Sequence, residues 1–340
     1  MKQVFSYTAI ILLAGSFFTA CRKSSDGGVP KQTNVYVFGS DGVSPSNGGY
    51  WKNGVFTPIY NYGYPASGYV SGNDVYAAGY QDNVKVSYCG YWKNGIFTKL
   101  DSSNSFFSST DTTLRANSIF ISGSDVYMLE TYEIDNLSSY KYFSKYWKNG
   151  VENDYTNNSE EIFVNNIFVS GNDVYICGNL YTVSAYVPKY WKNGVETILA
   201  NASDDAYANQ IFVSGNDVYV AGAKGNYAGY WKNGAFTTLT NGSQPGSAQF
   251  IYVSGNDVYV AGRDDYYQCE YWKNGAIVAP LGGSPHVIYL TSMYVSGSDV
   301  YIAATEDNNT ALYWKNGVPT YLTDGASSYG TTSSIFVTNN

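Results

Sequence analysis

The sequence predicts an all-β protein built from a repeated four-stranded unit, and three observations support this prediction. The 340 residues contain 36 Tyr and 35 Gly but only 14% charged residues, which is unlike the composition of helical or α/β proteins. The string Tyr-Trp-Lys-Asn-Gly also occurs seven times, at intervals of 40 to 55 residues. No segment shows a sustained helical period.

Composition and charge exclude several classes of protein. Hydrophobic residues make up 44% of the chain and aromatic residues 17%, which is enough for a large core and too much for intrinsic disorder. The formal net charge is −8, and no Lys and Arg cluster provides the basic surface that binding to phosphate backbones requires. We therefore expect no nucleic acid partner.

Residues 1–20 are predicted to form a secretory signal peptide. One basic residue, Lys2, precedes an apolar run from Tyr7 to Ala14 that is too short for a membrane span. The segment ends in Phe18-Thr19-Ala20-Cys21, which resembles the lipobox of bacterial lipoproteins. This resemblance implies that Cys21 is acylated and becomes the N-terminus of the mature protein. Cleavage without acylation is the alternative.

Residues 21–33 are predicted to be a flexible polar tether after the lipid. The protein would then lie in the bacterial cell envelope, attached to a membrane through its N-terminal lipid alone, in a periplasmic or a surface-facing position. Three cysteines remain, Cys89, Cys177 and Cys269, and an odd number argues against a disulfide framework. With a single His they form no zinc pattern. We interpret them as small buried residues and expect no metal and no cofactor.

Each repeat is predicted to contain four short strands joined by tight turns. Gly-Asn and Asn-Gly pairs between β-branched and aromatic runs supply the positive φ angles that two-residue hairpins need. In one repeat the predicted strands and turns are, in order, Ile211–Ser214, Gly215-Asn216, Asp217–Ala221, Tyr230–Lys232, Asn233-Gly234 and Phe236–Leu239.

A second string, Val-Ser-Gly-Asn-Asp-Val-Tyr or a near variant, occurs six times, and its seventh copy is split between residues 335–340 and 34–39. The C-terminal segment is therefore predicted to be the innermost strand of the first unit. Seven units of four antiparallel strands are the sequence form of a seven-bladed β-propeller over residues 34–340. A linear solenoid is the alternative. The repeat resembles those of uncharacterised propellers anchored as bacterial lipoproteins, and this resemblance implies no catalytic residue.

The connections predict two different faces of the propeller. The turns between first and second strands and between third and fourth strands are short and nearly constant, and we call their side the constant face. The remaining connections vary in length and chemistry, and we call their side the variable face. Binding residues concentrate on variable loops of rigid scaffolds, so the variable face is the predicted functional face.

Tyrosines on the variable face are the first group of candidate ligand-binding residues. Tyrosine offers an apolar ring and a hydroxyl at low entropic cost, which suits contacts with sugars or protein partners. The alternative is that many of these rings pack between blades. The candidates are Tyr62, Tyr64, Tyr80, Tyr181, Tyr207, Tyr266, Tyr267 and Tyr289.

A second group of candidates lies at one aligned position near the start of each innermost strand. Amides and hydroxyls that converge at the mouth of a central channel can bind ligand hydroxyls. The alternative is that they cap strand ends and hold channel water. The candidates are Asn117, Asn165, Asn209 and Gln249, followed by Thr291 and Ser333.

Signals for catalysis or metal binding are weaker. The one histidine, His286, lies outside any catalytic motif. The acidic pairs Glu160-Glu161, Asp204-Asp205 and Asp264-Asp265 are typical of solvated loops, although a glycosidase needs only two carboxylates. The hairpin Asp residues, such as Asp217, are interpreted as turn residues that bond their own backbone rather than calcium. The Lys of each Tyr-Trp-Lys string is expected to pair with them.

The sequence thus favours a monomeric, non-catalytic recognition module. The leading hypothesis is binding of a glycan or another extracellular ligand by the variable face. A protein-interaction scaffold in an envelope complex is the alternative, and a polysaccharide lyase or glycosidase is less favoured.

Overall fold

A computed structural model describes residues 32–42, 47–61, 63–83, 86–103, 111–135, 140–153, 155, 161–182, 185–264, 268–282 and 286–339. These residues form 28 strands and one 3-10 helix, Ala202–Asp204. The strands divide into seven antiparallel sheets of four. The predicted all-β fold with seven four-stranded blades is confirmed. The predicted signal peptide, Cys21 and most of the tether lie outside the described residues.

Each blade runs from an innermost strand at the centre to an outermost strand at the rim. Blade 1 consists of β28 (Gly330–Asn339), β1 (Thr33–Asp41), β2 (Asn47–Lys52) and β3 (Val55–Asn61). Blade 2 consists of β4 (Gly63–Ser71), β5 (Asp74–Asn83), β6 (Val86–Lys93) and β7 (Ile96–Ser103). Blade 3 consists of β8 (Asp111–Ser122), β9 (Asp125–Asp135), β10 (Tyr140–Lys148) and β11 (Val151–Asn153).

The other four blades follow the same order. Blade 4 consists of β12 (Ile162–Ser170), β13 (Asp173–Tyr181), β14 (Tyr186–Lys192) and β15 (Val195–Ile198). Blade 5 consists of β16 (Ala206–Ser214), β17 (Asp217–Lys224), β18 (Tyr227–Lys232) and β19 (Ala235–Thr238). Blade 6 consists of β20 (Ser247–Ser254), β21 (Asp257–Arg263), β22 (Cys269–Lys273) and β23 (Ala276–Leu281). Blade 7 consists of β24 (Ile288–Ser296), β25 (Asp299–Glu306), β26 (Ala311–Lys315) and β27 (Val318–Tyr321).

The two ends of the domain meet in blade 1, as the split repeat predicts. Strand β28 pairs antiparallel with β1, with Val337 opposite Val35 and Ile335 opposite Val37. The innermost strands of consecutive blades contact one another, and β28 contacts both β24 and β4. The C-terminal strand therefore closes the propeller through backbone hydrogen bonds, which leaves neither end as a free inner edge.

The repeated Asn-Gly pair forms a tight turn and also links the two hairpins of its blade. In blade 5, Asn233 and Gly234 have φ angles of 50° and 86°, which a two-residue hairpin between right-twisted strands requires. The Asn233 side chain accepts a hydrogen bond from the Val218 N–H at 2.9 Å. Its Nδ2 donates to Asp217 Oδ1 at 2.8 Å. The Asn side chain thus satisfies backbone and side-chain groups of the neighbouring turn.

The hairpin aspartates bind side chains of the same blade, and the expectation that they bond their own backbone is wrong. Besides Asn233, Asp217 contacts Lys232, whose Nζ lies 2.8 Å from Oδ2. Hydrogen bonds from Lys232 and Asn233 hold the pKa of Asp217 below its usual range. The repeated Lys-Asn string supplies both partners, so the expected Lys–Asp pairing is present. The six pairs are Lys93–Asp74, Lys148–Asp125, Lys192–Asp173, Lys232–Asp217, Lys273–Asp257 and Lys315–Asp299.

Neighbouring blades pack a small residue against a large one. Between blades 5 and 6, the buried Ala221 of β17 shares a core cluster with Ile251 of β20. Between blades 4 and 5, Cys177 and Ile211 occupy the same positions. All three cysteines of the propeller, Cys89, Cys177 and Cys269, are buried, which agrees with their interpretation as small buried residues. Burial raises the pKa of the Cys269 thiol to about 11.

Between blades 1 and 2 the order of large and small residues is reversed. Phe38 replaces the small residue of β1 and is fully buried, and Gly68 of β4 replaces the Ile. A Cβ added at Gly68 would lie 2.2 Å from the Phe38 ring. The phenylalanine therefore fills the space that a larger residue at position 68 would need.

Blade 3 contains a buried carboxylate where the other blades have Gly or Ala. The side chain of Glu130 is fully buried, and Trp147 Nε1 donates to its Oε2 at 2.5 Å. Lys145 is its partner on the neighbouring strand and also contacts Asp101 at 2.5 Å and Glu152 at 3.2 Å. Burial raises the pKa of Glu130 to about 7, against the opposing effects of Lys145 and Trp147. Blade 3 thus carries an ionisable group in its core.

Candidate functional site

The innermost strand of each blade contains a β-bulge at the same level of the central channel. The strand register shifts at this residue in all seven blades, so its side chain leaves the regular alternation. Six of the seven bulge residues are the aligned polar residues singled out in the sequence, and Ala66 completes the set. The bulge residues are Ala66, Asn117, Asn165, Asn209, Gln249, Thr291 and Ser333.

Three of the bulge amides bind the next blade. Asn117 Nδ2 donates to the Val164 carbonyl at 2.9 Å, Asn165 Nδ2 to Ala208 at 2.6 Å and Asn209 Nδ2 to Ala248 at 2.7 Å. Each carbonyl belongs to the residue before the next bulge in the adjacent blade. These amides therefore join consecutive blades, a structural role for three of the predicted site residues. Their assignment as ligand-binding residues remains a prediction.

The bulges surround a chamber of about 280 Å³ in the central channel, close to the lower limit of roughly 300 Å³ for small-molecule sites. The residues that follow the bulges form a mostly polar circle around it. In blade 6 the residue after the bulge is Phe250, which lines the chamber, whereas the bulge residue Gln249 does not line it. The circle consists of Ser67, Ser118, Asn166, Gln210, Phe250, Ser292 and Ser334.

Hydrogen bonds between blades orient part of this polar circle. The Ser67 hydroxyl accepts from the Ile119 N–H at 3.2 Å, and Gln210 Oε1 accepts from the Ile251 N–H at 2.7 Å. Asn166 Nδ2 donates to Ser118 Oγ at 3.1 Å. An amide that accepts through its oxygen still carries N–H donors, and a hydroxyl that accepts still carries its proton. The chamber wall can therefore donate hydrogen bonds to a polar ligand.

Seven aromatic side chains form the floor of the chamber, and we call them the aromatic collar. One comes from each innermost strand, and each ring centroid lies 4.6–5.3 Å from the next at interplanar angles of 45–56°. The contacts run once around the channel without a break, with edge-tilted geometry that favours aromatic pairs. The collar consists of Tyr69, Phe120, Phe168, Phe212, Tyr252, Tyr294 and Phe336.

Three collar residues bring hydroxyl groups to the apolar floor. Burial raises the pKa of Tyr69 to about 12, and burial also raises the pKa values of Tyr252 and Tyr294, whose hydroxyls share a hydrogen bond. All three phenols are thus neutral across the physiological pH range and can donate or accept. The chamber combines an aromatic floor with polar walls.

Three predicted tyrosines occupy equivalent positions at the variable-face mouth of the channel. Tyr64, Tyr207 and Tyr289 each lie five residues before a collar residue. The Tyr64 ring stacks on Tyr80 with centroids 4.9 Å apart. The Arg263 guanidinium lies over the Tyr289 ring at 5.3 Å, which holds the ring in place by a cation–π contact. The fold therefore brings these candidates together around the chamber entrance.

Other predicted tyrosines lie farther from the channel or outside the described residues. Tyr181 is exposed and faces Tyr186 across the β13–β14 connection, with ring centroids 5.3 Å apart. Tyr62, Tyr266 and Tyr267 lie outside the described residues. Their predicted roles therefore remain predictions.

Sequence reasoning missed the aromatic collar and Arg263. The collar residues recur two positions before the Ser-Gly turn or its equivalent, so the aligned repeats contain the signal. An aromatic residue in a strand is usually a core residue, so the repeat alone does not identify these side chains as the lining of a channel. Arg263 has no such signal, because only the fold places it over Tyr289.

The weaker candidates for catalysis have structural partners. His286 Nδ1 lies 2.8 Å from Asp307 Oδ1, with both side chains exposed. Asp204 accepts from the Asn201 N–H at 2.9 Å and caps the 3-10 helix. Glu160 and Asp265 lie outside the described residues. Among the residues that the structure describes, no group of three or more His, Cys, Asp and Glu could hold a metal ion, and no helix has the length and apolar character of a membrane span.

Comparison with known proteins finds distant likenesses among solved structures. No protein-family model and no curated protein matches the chain. An oligopeptidase B from Trypanosoma brucei with bound antipain is 10% identical with a TM-score of 0.41, over 86% of this chain and 59% of the peptidase. A GH32 β-fructofuranosidase from Bombyx mori is 11% identical with a TM-score of 0.37, over 81% of this chain and 85% of that enzyme. Likenesses at this level carry no functional conclusion.

Proposed function

We propose that this protein is a non-catalytic recognition module of the bacterial cell envelope, tethered by a lipid on Cys21, that binds a glycan at its variable face. The main support is where exposed side chains lie. The exposed aliphatic residues, such as Val55 and Ile96, lie on outermost strands. The exposed tyrosines of the described residues lie at or beside variable-face connections, namely Tyr181, Tyr186, Tyr227, Tyr289, Tyr321 and Tyr329.

The proposed binding surface combines these tyrosines with the chamber. Tyrosine rings can stack on the apolar faces of sugar rings, and their hydroxyls can bond sugar hydroxyls. The chamber at the centre supplies further polar groups, and its volume of about 280 Å³ has room for a group the size of one sugar ring. A glycan lying across the variable face would contact Tyr289 at the rim of the entrance and extend toward Tyr181 and Tyr186.

Replacing Tyr289 with Ala tests the proposal. We expect glycan affinity to fall about threefold to tenfold, because an aromatic contact contributes about 0.5–1.5 kcal/mol. Affinity gel electrophoresis of the purified protein against a panel of polysaccharides measures the change. Val318→Ala is the control, since Val318 is 67% exposed against 49% for Tyr289 but directly follows the constant-face turn Asn316-Gly317.

Equal effects of the two substitutions would refute the assignment of the variable face. Product analysis of the same samples tests for catalysis, because shortened chains would favour the lyase or glycosidase hypothesis. Absence of retardation with every glycan would favour an envelope protein as the partner. Cross-linking in the native membrane would then identify that partner.

A further inference from the structure

Two cavities lie between neighbouring blades on the constant face, opposite the proposed glycan surface. One, of about 260 Å³, lies between blades 1 and 2, and the other, of about 250 Å³, lies between blades 3 and 4. The same repeat positions line both: two tyrosines and a lysine from one blade, and turn residues from the next. In the first cavity these are Tyr36, Tyr50, Lys52, Asn73, Asn94 and Gly95, and in the second Tyr127, Tyr146, Lys148, Asn172, Asn193 and Gly194.

In six blades, a carboxylate satisfies the lysine of this position. The hairpin Asp Oδ2 lies 2.7–3.1 Å from the Lys Nζ. In blade 3, Asp125 also accepts from the Tyr127 hydroxyl at 3.5 Å. Asp125 Oδ2 thus pairs with Lys148 and also accepts from the Tyr127 hydroxyl, and both of these donors line the cavity between blades 3 and 4.

Blade 1 differs, because Asn34 occupies the position of the hairpin Asp. Its Oδ1 accepts from Asn53 Nδ2 at 3.0 Å, as the Asp does in other blades. The other terminus of the Asn34 side chain is Nδ2, an NH₂ group that donates hydrogen bonds, so it cannot accept one from the lysine ammonium. Lys52 keeps its place over the Tyr36 ring at 5.2 Å, but no carboxylate of the described residues lies within ion-pair distance of it. Lys52 and the Tyr36 hydroxyl are therefore donors without the acceptor that six blades provide.

We propose that the cavity between blades 1 and 2 binds the carboxylate of an acidic sugar. The ligand carboxylate takes the role of the hairpin Asp, accepting from Lys52 Nζ and the Tyr36 hydroxyl. Charge-assisted bonds of this kind are stronger than neutral ones. The Tyr50 ring and the exposed Asn73 amide line the remaining space, which suits the apolar face and hydroxyls of one sugar ring. This site is separate from the variable face and does not depend on the function proposed for it.

Converting blade 1 to the pattern of the other blades tests the proposal. In isothermal titration of the full chain with galacturonate, we expect one saturable site that weakens as salt is added, because Lys52 is exposed to screening. Asn34→Asp supplies an internal carboxylate and should weaken binding by about tenfold or more. Lys52→Met should weaken binding to a similar extent. Thermal unfolding of both variants confirms that the propeller stays folded.

The cavity between blades 3 and 4 offers the reverse experiment. Asp125→Asn removes the carboxylate beside Lys148 and Tyr127, and we expect it to create a second galacturonate site and raise the stoichiometry from one toward two. Galactose should bind more weakly than galacturonate at both sites, because it lacks the carboxylate. Acetate, which has the carboxylate without the ring, shows whether the sugar contributes.

Three results would overturn the proposal: no saturable binding of galacturonate, equal binding of galacturonate and galactose, or unchanged affinity in Asn34→Asp. Acetate binding as tightly as galacturonate would overturn the assignment to a sugar. Tyr289→Ala should leave this site unchanged. Failure here is thus distinguishable from failure of the variable-face proposal.

Discussion

Replacing Phe38 with Ala is expected to lower the free energy of unfolding by about 3–5 kcal/mol, because it empties the space between blades 1 and 2. Phe38 is fully buried, and its ring lies 2.2 Å from the place where a Cβ on Gly68 would be. Gly68→Ile is expected to be similarly harmful for the opposite reason, since its side chain would enter the space that the Phe38 ring holds.

The double variant, Phe38→Ala with Gly68→Ile, should be more stable than either single variant. It recreates the Ala-against-Ile pair that Ala221 and Ile251 form between blades 5 and 6. Urea unfolding followed by circular dichroism would measure the coupling between the two positions. Phe236→Ala with Gly68→Ile is the control, because Phe236 lies in blade 5 and its effect should add to that of Gly68→Ile. Additive losses in the Phe38 pair as well would disprove the compensation.

The buried carboxylate of blade 3 is expected to make stability fall as pH rises. Burial raises the pKa of Glu130 to about 7 in the folded protein, above about 4.3 for an unfolded chain. The folded state therefore binds the proton more tightly, so the stability from Glu130 is fully present below about pH 4. It is lost as pH rises through 7, by on the order of 3 kcal/mol in total.

Glu130→Gln should remove this pH dependence and be more stable than the wild type at pH 8. The glutamine keeps an oxygen that can accept from Trp147 Nε1 and carries no charge to bury. Urea unfolding of both proteins at pH 5 and pH 8 would measure the difference. Glu152→Gln removes an exposed partner of the same Lys145 and serves as the control. If Glu130→Gln kept the wild-type slope with pH, Glu130 would not be the group that titrates.

Much of the architecture follows from local sequence. Asn-Gly and Gly-Asn turns fix each hairpin because their backbone angles suit few other residues. The number of Tyr-Trp-Lys-Asn-Gly strings, seven, predicts the number of blades. The complementary halves of the split repeat at the chain ends predict that β28 completes blade 1. The turn network was only partly predictable: the Lys–Asp pairs were expected, whereas the Asn233 bonds to the neighbouring turn were not.

The candidate site was predicted in outline. The aligned positions of Asn117, Asn165 and Asn209 indicated the level of the channel, but their amides bind the next blade. A bulge turns the following residue toward the chamber. No local signal in the sequence shows which of the two side chains, that of the bulge residue or that of the following residue, binds the next blade and which faces the chamber. Hydrogen bonds to a carbonyl more than forty residues away depend on blade packing.

The sequence alone determined the number of blades, their turns and the strand that closes the propeller, because repeats and hairpins are encoded by neighbouring residues. The tertiary structure alone decided which repeated side chains meet. It joined seven aromatic residues into one collar, buried Glu130 in a core, and placed Lys52 over the Tyr36 ring beside a cavity between two blades. These properties arise between strands that are distant in the chain, where packing and burial, rather than local pattern, set the chemistry of a residue.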